Sequence, residues 1–377
     1  MTFDCYNSSD TEVSVTDWRY QNTIKITEYD IQQAISSFPK TRYYGSKRRL
    51  LCWIHQAVRE LPFTTVLDGF GGTASVSLLF KAMGKHVSFH DALLCNTISA
   101  QALLTNELTF INTIDVLSFI DKIRPVQGFI SKTFSGMYYT DEENCWLDGA
   151  IHAINAINNE LERSIYFYCL FQACLKKRPF NLFHRANLNL RLNRNVTRSF
   201  GNLTTWEKEF SHLMKESFND LKLLKYYPTK PAIVLPPGDI AELDIGYDLV
   251  YLDPPYVSQS RTGDDYLRRY HFLEGLSTYN EWDKMINLTS SNKSFTTIDY
   301  ISKWQSKKEF RSLLFDTIKK HKKSIVVLSY ISGAYPSEED IEEFFRSTFR
   351  RTYTLKKEFC HALAKDKKVE LLFIGWH

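Results

Sequence analysis

The sequence predicts an α/β protein: a doubly wound, mostly parallel sheet of Rossmann-like type, interrupted by a mainly helical segment. Three observations carry that reading. A β-branched run, FTTVLDGF, passes through glycines into the helical pattern ASVSLLFKAMG and on to a second strand, HVSFHDA, which together make a β–α–β unit. The same alternation returns in the last third of the chain. Between the two, from about 115 to 230, strand patterning stops and only helical periodicity remains.

In chain order, residues 1–37 read as a polar N-terminal extension with at most one short helix, around Ile31 to Phe38. From Ser46, SKRRLLCWIHQAVREL places apolar residues at helical spacing and stops at Pro62. The β–α–β unit follows, its helix ending on Gly84. Much later, YDLVYL (Tyr247–Leu252) is a near-continuous apolar run of the kind buried in a parallel sheet. Helix-like KKEFRSLLFDTIKKHKK then leads to strand SIVVLSYISG. Helix-like SEEDIEEFFRSTF leads to TYTLKKEFCHA and a last strand, VELLFIGW. Residues 38–114 and 231–377 are thus expected to form one core, and 115–230 a domain inserted into it.

Composition narrows the class. Of 377 residues 44% are hydrophobic, enough for a large core, and the aromatic share of 14% is high. The net charge of +4 permits a polyanionic partner without demanding one, so charge distribution matters more than the sum. Seven cysteines, odd in number and without a Cys-x-x-Cys pair, argue against a disulfide framework and against a zinc ribbon. No metal site is expected. The first residues are polar and acidic, unlike a secretion signal, and no apolar run approaches the ~20 residues that span a bilayer. A soluble, cytoplasmic protein is expected.

Two motifs carry chemistry. In Val66-Leu67-Asp68-Gly69-Phe70-Gly71-Gly72-Thr73-Ala74, a glycine turn after a buried strand lets backbone approach a ligand. Asp91 ends the next strand, 23 positions beyond Asp68, where an acid can bond two ribose hydroxyls. The glycines alone are equally explained as a packing turn. Neither a G-x-G-x-x-G fingerprint nor a phosphate loop is present. A ligand with a ribose and no pyrophosphate, such as S-adenosylmethionine, fits best.

The second motif is Asp253-Pro254-Pro255-Tyr256, directly after YDLVYL. The prolines fix φ and remove two donors, leaving a rigid turn of acceptors. Asp253 and the Pro254 carbonyl can both accept hydrogens from one amino group, while Tyr256 stacks on the base that carries it. An exocyclic adenine amine is a poor nucleophile because its lone pair is delocalised into the ring. Accepting both its hydrogens localises that pair, so catalysis is positioning and electrostatics.

LDGFGGTAS and LVYLDPPY resemble motifs of the Dam-like, D12-class adenine-N6 DNA methyltransferases, a family that includes many restriction–modification methylases. Tyr43-Tyr44-Gly45-Ser46-Lys47 is similar to that family's upstream aromatic-x-Gly-Gly-Lys element, and Gly238-Asp239 to its acidic position against the cofactor's adenine. The resemblance runs from about Lys40 to the end. It implies a methyltransferase fold, S-adenosylmethionine held by Tyr43, Lys47, Asp68, Phe70, Gly72, Asp91 and Asp239, and catalysis by Asp253, Pro254 and Tyr256. Ala74 and Ser46 depart from it, each standing where the family has glycine. Aspartate at 253 favours adenine N6 over cytosine N4. Another amine substrate, or a DNA-binding relative that has lost catalysis, stays open.

Between Ser164 and Trp206 there is no acidic residue, while Lys176, Lys177, Arg178, Arg185, Arg191 and Arg194 all fall within it. Such a segment can neutralise phosphates and read base edges of double-stranded DNA; a solvated basic helix is the plainer reading. Residues 258–279 suggest a loop closing over a flipped base, with Arg268, Arg269, Tyr270 and His271 at hand. A structural connector explains that stretch as well. A cognate restriction endonuclease, where there is one, is expected as a separate chain.

Overall fold

The computed structural model describes residues 13–16, 23–105, 112–179, 182–193, 195, 203–225, 230–259, 263–359 and 368–377. Eleven strands occur among them. β1 (Val13–Thr16) and β2 (Thr23–Ile26) make an antiparallel ribbon. Then come β3 (Thr65–Asp68), β4 (His86–Phe89), β5 (Ile233–Val234), β6 (Leu249–Leu252), β7 (Val257–Ser258), β8 (Ile325–Ile331), β9 (Ala334–Tyr335), β10 (Arg351–Phe359) and β11 (Lys368–Trp376). β7 and β9 pair with each other, and the remaining seven form one sheet in the order β10-β11-β8-β6-β3-β4-β5. β5, β4, β3, β6 and β8 are mutually parallel, and β11 alone runs against the rest. This is the mostly parallel α/β sheet that the sequence predicts.

The unbroken apolar runs have a physical cause, because both faces of the sheet are covered. Val66, Leu249, Tyr251 and Val327 enter the core on one face, and Leu67, Val250, Leu252 and Leu328 the core on the other. From β3 the chain moves outward to β4 and β5, then crosses back to β6 and β8 on the far side. The order therefore reverses between β3 and β6, the place where such sheets bind ligands. Register aligns Asp68 with Phe89 on one side and with Tyr251 on the other. Asp68, Asp91 and Asp253 thus lie at the carboxyl ends of three adjacent strands.

Among the described residues, 90–232 hold helices and no strand. The longest, Glu160–Lys177, packs on Leu94–Leu104 and Phe210–Lys222. Its buried face joins the same apolar core as one face of the sheet and has no core of its own. The expected polar extension also ends earlier than residue 37. Thr27 and Asp30 form a capping box that starts a helix at Glu28–Ser37, and Ile26, Ile31, Ala34 and Phe38 are buried in the main core.

Candidate active site

A cleft with about 820 Å³ of empty volume, partly open to solvent, lies over the carboxyl ends of β3, β4 and β6. Tyr43, Lys47, Asp68, Phe70, Gly72, Asp91 and Asp253 all line it, although in sequence they span more than 200 positions.

On the β3–β4 side, Asp91 fastens the glycine turn. Its Oδ2 accepts from Gly72 N–H at 2.8 Å, and its Oδ1 accepts from Leu93 N–H at 2.8 Å and Asn96 Nδ2 at 3.0 Å. Burial pushes the Asp91 carboxyl up, and these three donors oppose the shift. One lone pair of Oδ2 is left for a ligand hydroxyl. Asn96 also donates to Tyr43 Oη at 2.9 Å, and the Tyr43 ring lies flat on Tyr270 at 4.2 Å. Asp68 accepts from Ser77 Oγ at 2.7 Å. Burial pushes its carboxyl up to about 7; the Ser77 hydrogen bond opposes this, while nearby Asp253 and Asp91 add to it.

Phe70 meets Trp304 edge-on at 5.0 Å, and the Trp304 indole donates to Asp239 Oδ1 at 3.0 Å. Asp239 therefore stands behind Trp304, beside the cleft lining. Ala74 sits in the left-handed region at φ 58°, a conformation that favours glycine, so its departure from the family pattern is a strained one. Gly45, at φ +80°, has no room for a Cβ, which would meet Tyr266 Oη at 2.5 Å.

On the β6 side, Tyr256 Oη donates to Asp253 Oδ1 at 2.9 Å. Lys47 Nζ donates to Tyr256 Oη at 2.7 Å and stands 3.0 Å from the same Asp253 oxygen. Glu370 Oε2 lies 3.7 Å from Lys47 Nζ. Burial opposes the charge on Lys47, but Asp253 and Glu370 outweigh it and hold the ammonium well above its ordinary value. Lys47 thus sits at the Asp-Pro-Pro-Tyr turn itself. Pro254 is buried behind that turn, and the Tyr256 ring meets Tyr330 edge-on at 5.6 Å.

The basic segment is arranged differently from expectation. Lys177 and Arg191 are 2% and 7% exposed and share Glu143: Lys177 Nζ lies 2.6 Å from Oε1, and Arg191 bonds both oxygens at 2.7 and 2.8 Å. Arg178, 1% exposed, donates to the Arg42 carbonyl at 2.9 Å and lies over the Phe183 and Tyr270 rings. Lys176 is half-buried, bonded to Ser217 Oγ at 3.0 Å and paired with Glu216 and Asp220. The expectation that Lys177, Arg178 and Arg191 meet DNA is therefore corrected, since these side chains face inward. The segment lacks acids in sequence, but distant helices supply them in space. Arg185 is exposed, and Arg194 lies outside the described residues.

The stretch 258–279 is also corrected. From Tyr266 to Ser277 it is a packed helix, in which Tyr270 and His271 are wholly buried. His271 bonds Tyr138 Oη at 2.9 Å, and Glu274 accepts from Leu94 and Cys95 N–H, both at 2.9 Å, capping the helix Leu94–Leu104. Tyr266, Tyr251 and Trp304 line the cleft and were not singled out from sequence. Glu370 was visible as a lone acid within the apolar strand VELLFIGW. Among the described residues, no cluster of His, Cys, Asp or Glu could hold a metal ion, and no helix is long and apolar enough to cross a membrane.

This arrangement meets its likeness among known proteins. The chain is similar to the type II methyltransferase M2.HphI of Haemophilus parahaemolyticus, 25% identical over 346 residues, which is 89% of this chain and 97% of that protein. The family model for D12 class N6 adenine-specific DNA methyltransferases matches residues 43–325, from Tyr43 through both motifs to the first residue of β8. The sheet is consistent with a methyltransferase fold. The chain belongs to the D12 class N6 adenine-specific DNA methyltransferases.

Proposed function

We propose that the cleft binds S-adenosylmethionine over the β3–β4 side and receives a flipped adenine of duplex DNA at Asp253, Pro254 and Tyr256. One observation carries this reading: Asp253 and the Asp68–Asp91 pair open on one cleft across the switch point of the sheet. The lining fits the donor. Two carboxylates suit a cationic ligand, Asp91 has an acceptor left for a hydroxyl, and Phe70 and Trp304 offer apolar faces to a base. Bound there, S-adenosylmethionine would supply an electrophilic methyl group. Asp253 and the Pro254 carbonyl accept the amine hydrogens and localise the nitrogen lone pair, and the Tyr256 ring supports the base. Tyr43 and Lys47 close the side of the cleft nearest the catalytic turn.

The 115–230 segment carries target recognition in this reading, with exposed Arg185 as its contact among the described candidates. Membership of the family and the likeness to a type II methyltransferase support a role as the modification arm of a restriction–modification system. A cognate endonuclease would be a separate partner chain, and DNA as substrate supports a cytoplasmic location. The test is Asp253→Ala. Tritium transfer from labelled S-adenosylmethionine should fall by at least ~2 kcal/mol in transition-state stabilisation, with calorimetric cofactor affinity retained. A variant holding half the parent rate would refute the role of Asp253.

A further inference from the structure

We propose that Glu370 is a positioning residue for methyl transfer: it draws the Lys47 ammonium off Asp253 and so strengthens Asp253 as the acceptor of the substrate amine. The proposal rests on the assignment of Asp253 made above.

The geometry around Asp253 Oδ1 motivates it. That oxygen accepts the Tyr256 hydroxyl at 2.9 Å and has the Lys47 ammonium at 3.0 Å, so the other carboxylate oxygen, Oδ2, is the acceptor left for the substrate amine. An ammonium held on one oxygen draws charge from both, so an incoming N–H meets a weaker acceptor. Lys47 cannot retreat into water, because its side chain is 6% exposed; Glu370, at 4%, is equally enclosed. At 3.7 Å the Lys47–Glu370 contact is an ion pair too long to be a hydrogen bond. A shift of ~1 Å would convert it into one while loosening the contact with Asp253.

Charge balance points the same way. One ammonium between two carboxylates leaves the group with a surplus negative charge, which suits an amine that becomes positive as it takes the methyl. With Glu370 neutral, Lys47 and Asp253 would form a closed pair and Asp253 would be a weaker acceptor. A buried carboxylate in apolar β11 costs several kcal/mol unless it is paired, and Lys47 is a cation that the fold sets near it.

The test is Glu370→Gln, which keeps shape and removes charge. Steady-state methylation of duplex DNA should show kcat lowered ~10- to ~100-fold, the scale for a misplaced catalytic group. Calorimetric S-adenosylmethionine affinity should stay within ~2-fold, and Glu370→Asp should recover part of kcat. In a Lys47→Met background the same Gln change should cost no further activity, because the residue acts through Lys47. Parent-like kcat in Glu370→Gln, or an equal loss with and without Lys47, would overturn the proposal. If Glu370→Gln does not fold, Glu370→Asp decides: an intermediate kcat with retained cofactor affinity supports the proposal, and parent kcat overturns it. Asp253→Ala is run alongside. If it stays active, the site reading itself has failed; if it is dead while Glu370→Gln is parent-like, only the role of Glu370 has.

Discussion

Replacing Arg191 with alanine separates a structural arginine from a DNA-reading one. Its guanidinium makes two charge-assisted hydrogen bonds to Glu143, at 2.7 and 2.8 Å, and a third to the Trp206 carbonyl at 3.2 Å. Burial alone would raise the Glu143 carboxyl, but the hydrogen bonds and charges of Arg191 and Lys177 hold it below its ordinary value. Both side chains are largely enclosed, at 6% and 17% exposure, so solvent screens the pair little. Truncating one partner of such a pair costs ~3–5 kcal/mol, because the other charge is left buried with fewer partners. Lys177 remains beside Glu143 at 2.6 Å, which favours the lower end of that range. With a urea slope of ~3 kcal/mol/M, the unfolding midpoint should drop by ~1 M or more. DNA affinity of the folded variant should keep the parent's salt dependence, since no phosphate contact is lost. An unchanged urea midpoint, together with a salt slope reduced by ~1, would refute this reasoning and return Arg191 to the DNA interface.

Two further outcomes follow from the same structure. Arg185→Ala should weaken binding to a duplex carrying the methylated site by ~1–3 kcal/mol while the urea midpoint stays put, and parent-like binding at every salt concentration would remove Arg185 from the interface. Asp68, whose carboxyl burial pushes up to about 7, keeps its proton in the folded protein over a pH range where the unfolded chain releases it. Its contribution is therefore greatest below pH ~4 and is lost as pH rises to ~7, so Asp68→Asn should stabilise the ligand-free protein above pH 7 by up to ~4 kcal/mol. Urea midpoints of parent and variant across that range check the sign; a gap that narrows as pH rises from 4 to 7 would contradict it.

Local patterning was enough to read most of the sheet. Continuous apolar runs such as YDLVYL, glycine punctuation, and acids at strand ends are properties of short segments, and the α/β alternation follows from them. Asp68, Asp91, Asp253 and Tyr256 were legible for the same reason, because each is tied to a strand end that the sequence marks. The strand order, which sets those ends around one cleft, came from pairing between segments far apart in the chain. Lys47, Glu370, Trp304 and Tyr266 reach the cleft that way, and no local signal says that an acid in β11 faces a lysine some 320 positions earlier. The basic segment shows the limit most plainly. From sequence, the absence of acids between Ser164 and Trp206 is a fact about neighbours along the chain, and it implied free positive charge. Electrostatics acts through space, however, and Glu143, Glu216 and Asp220 arrive from other helices to meet Lys176, Lys177 and Arg191. The sequence by itself determined the principal strands of the sheet and the residues that end them; tertiary structure alone decided which charges are spent inside the protein and which face outward.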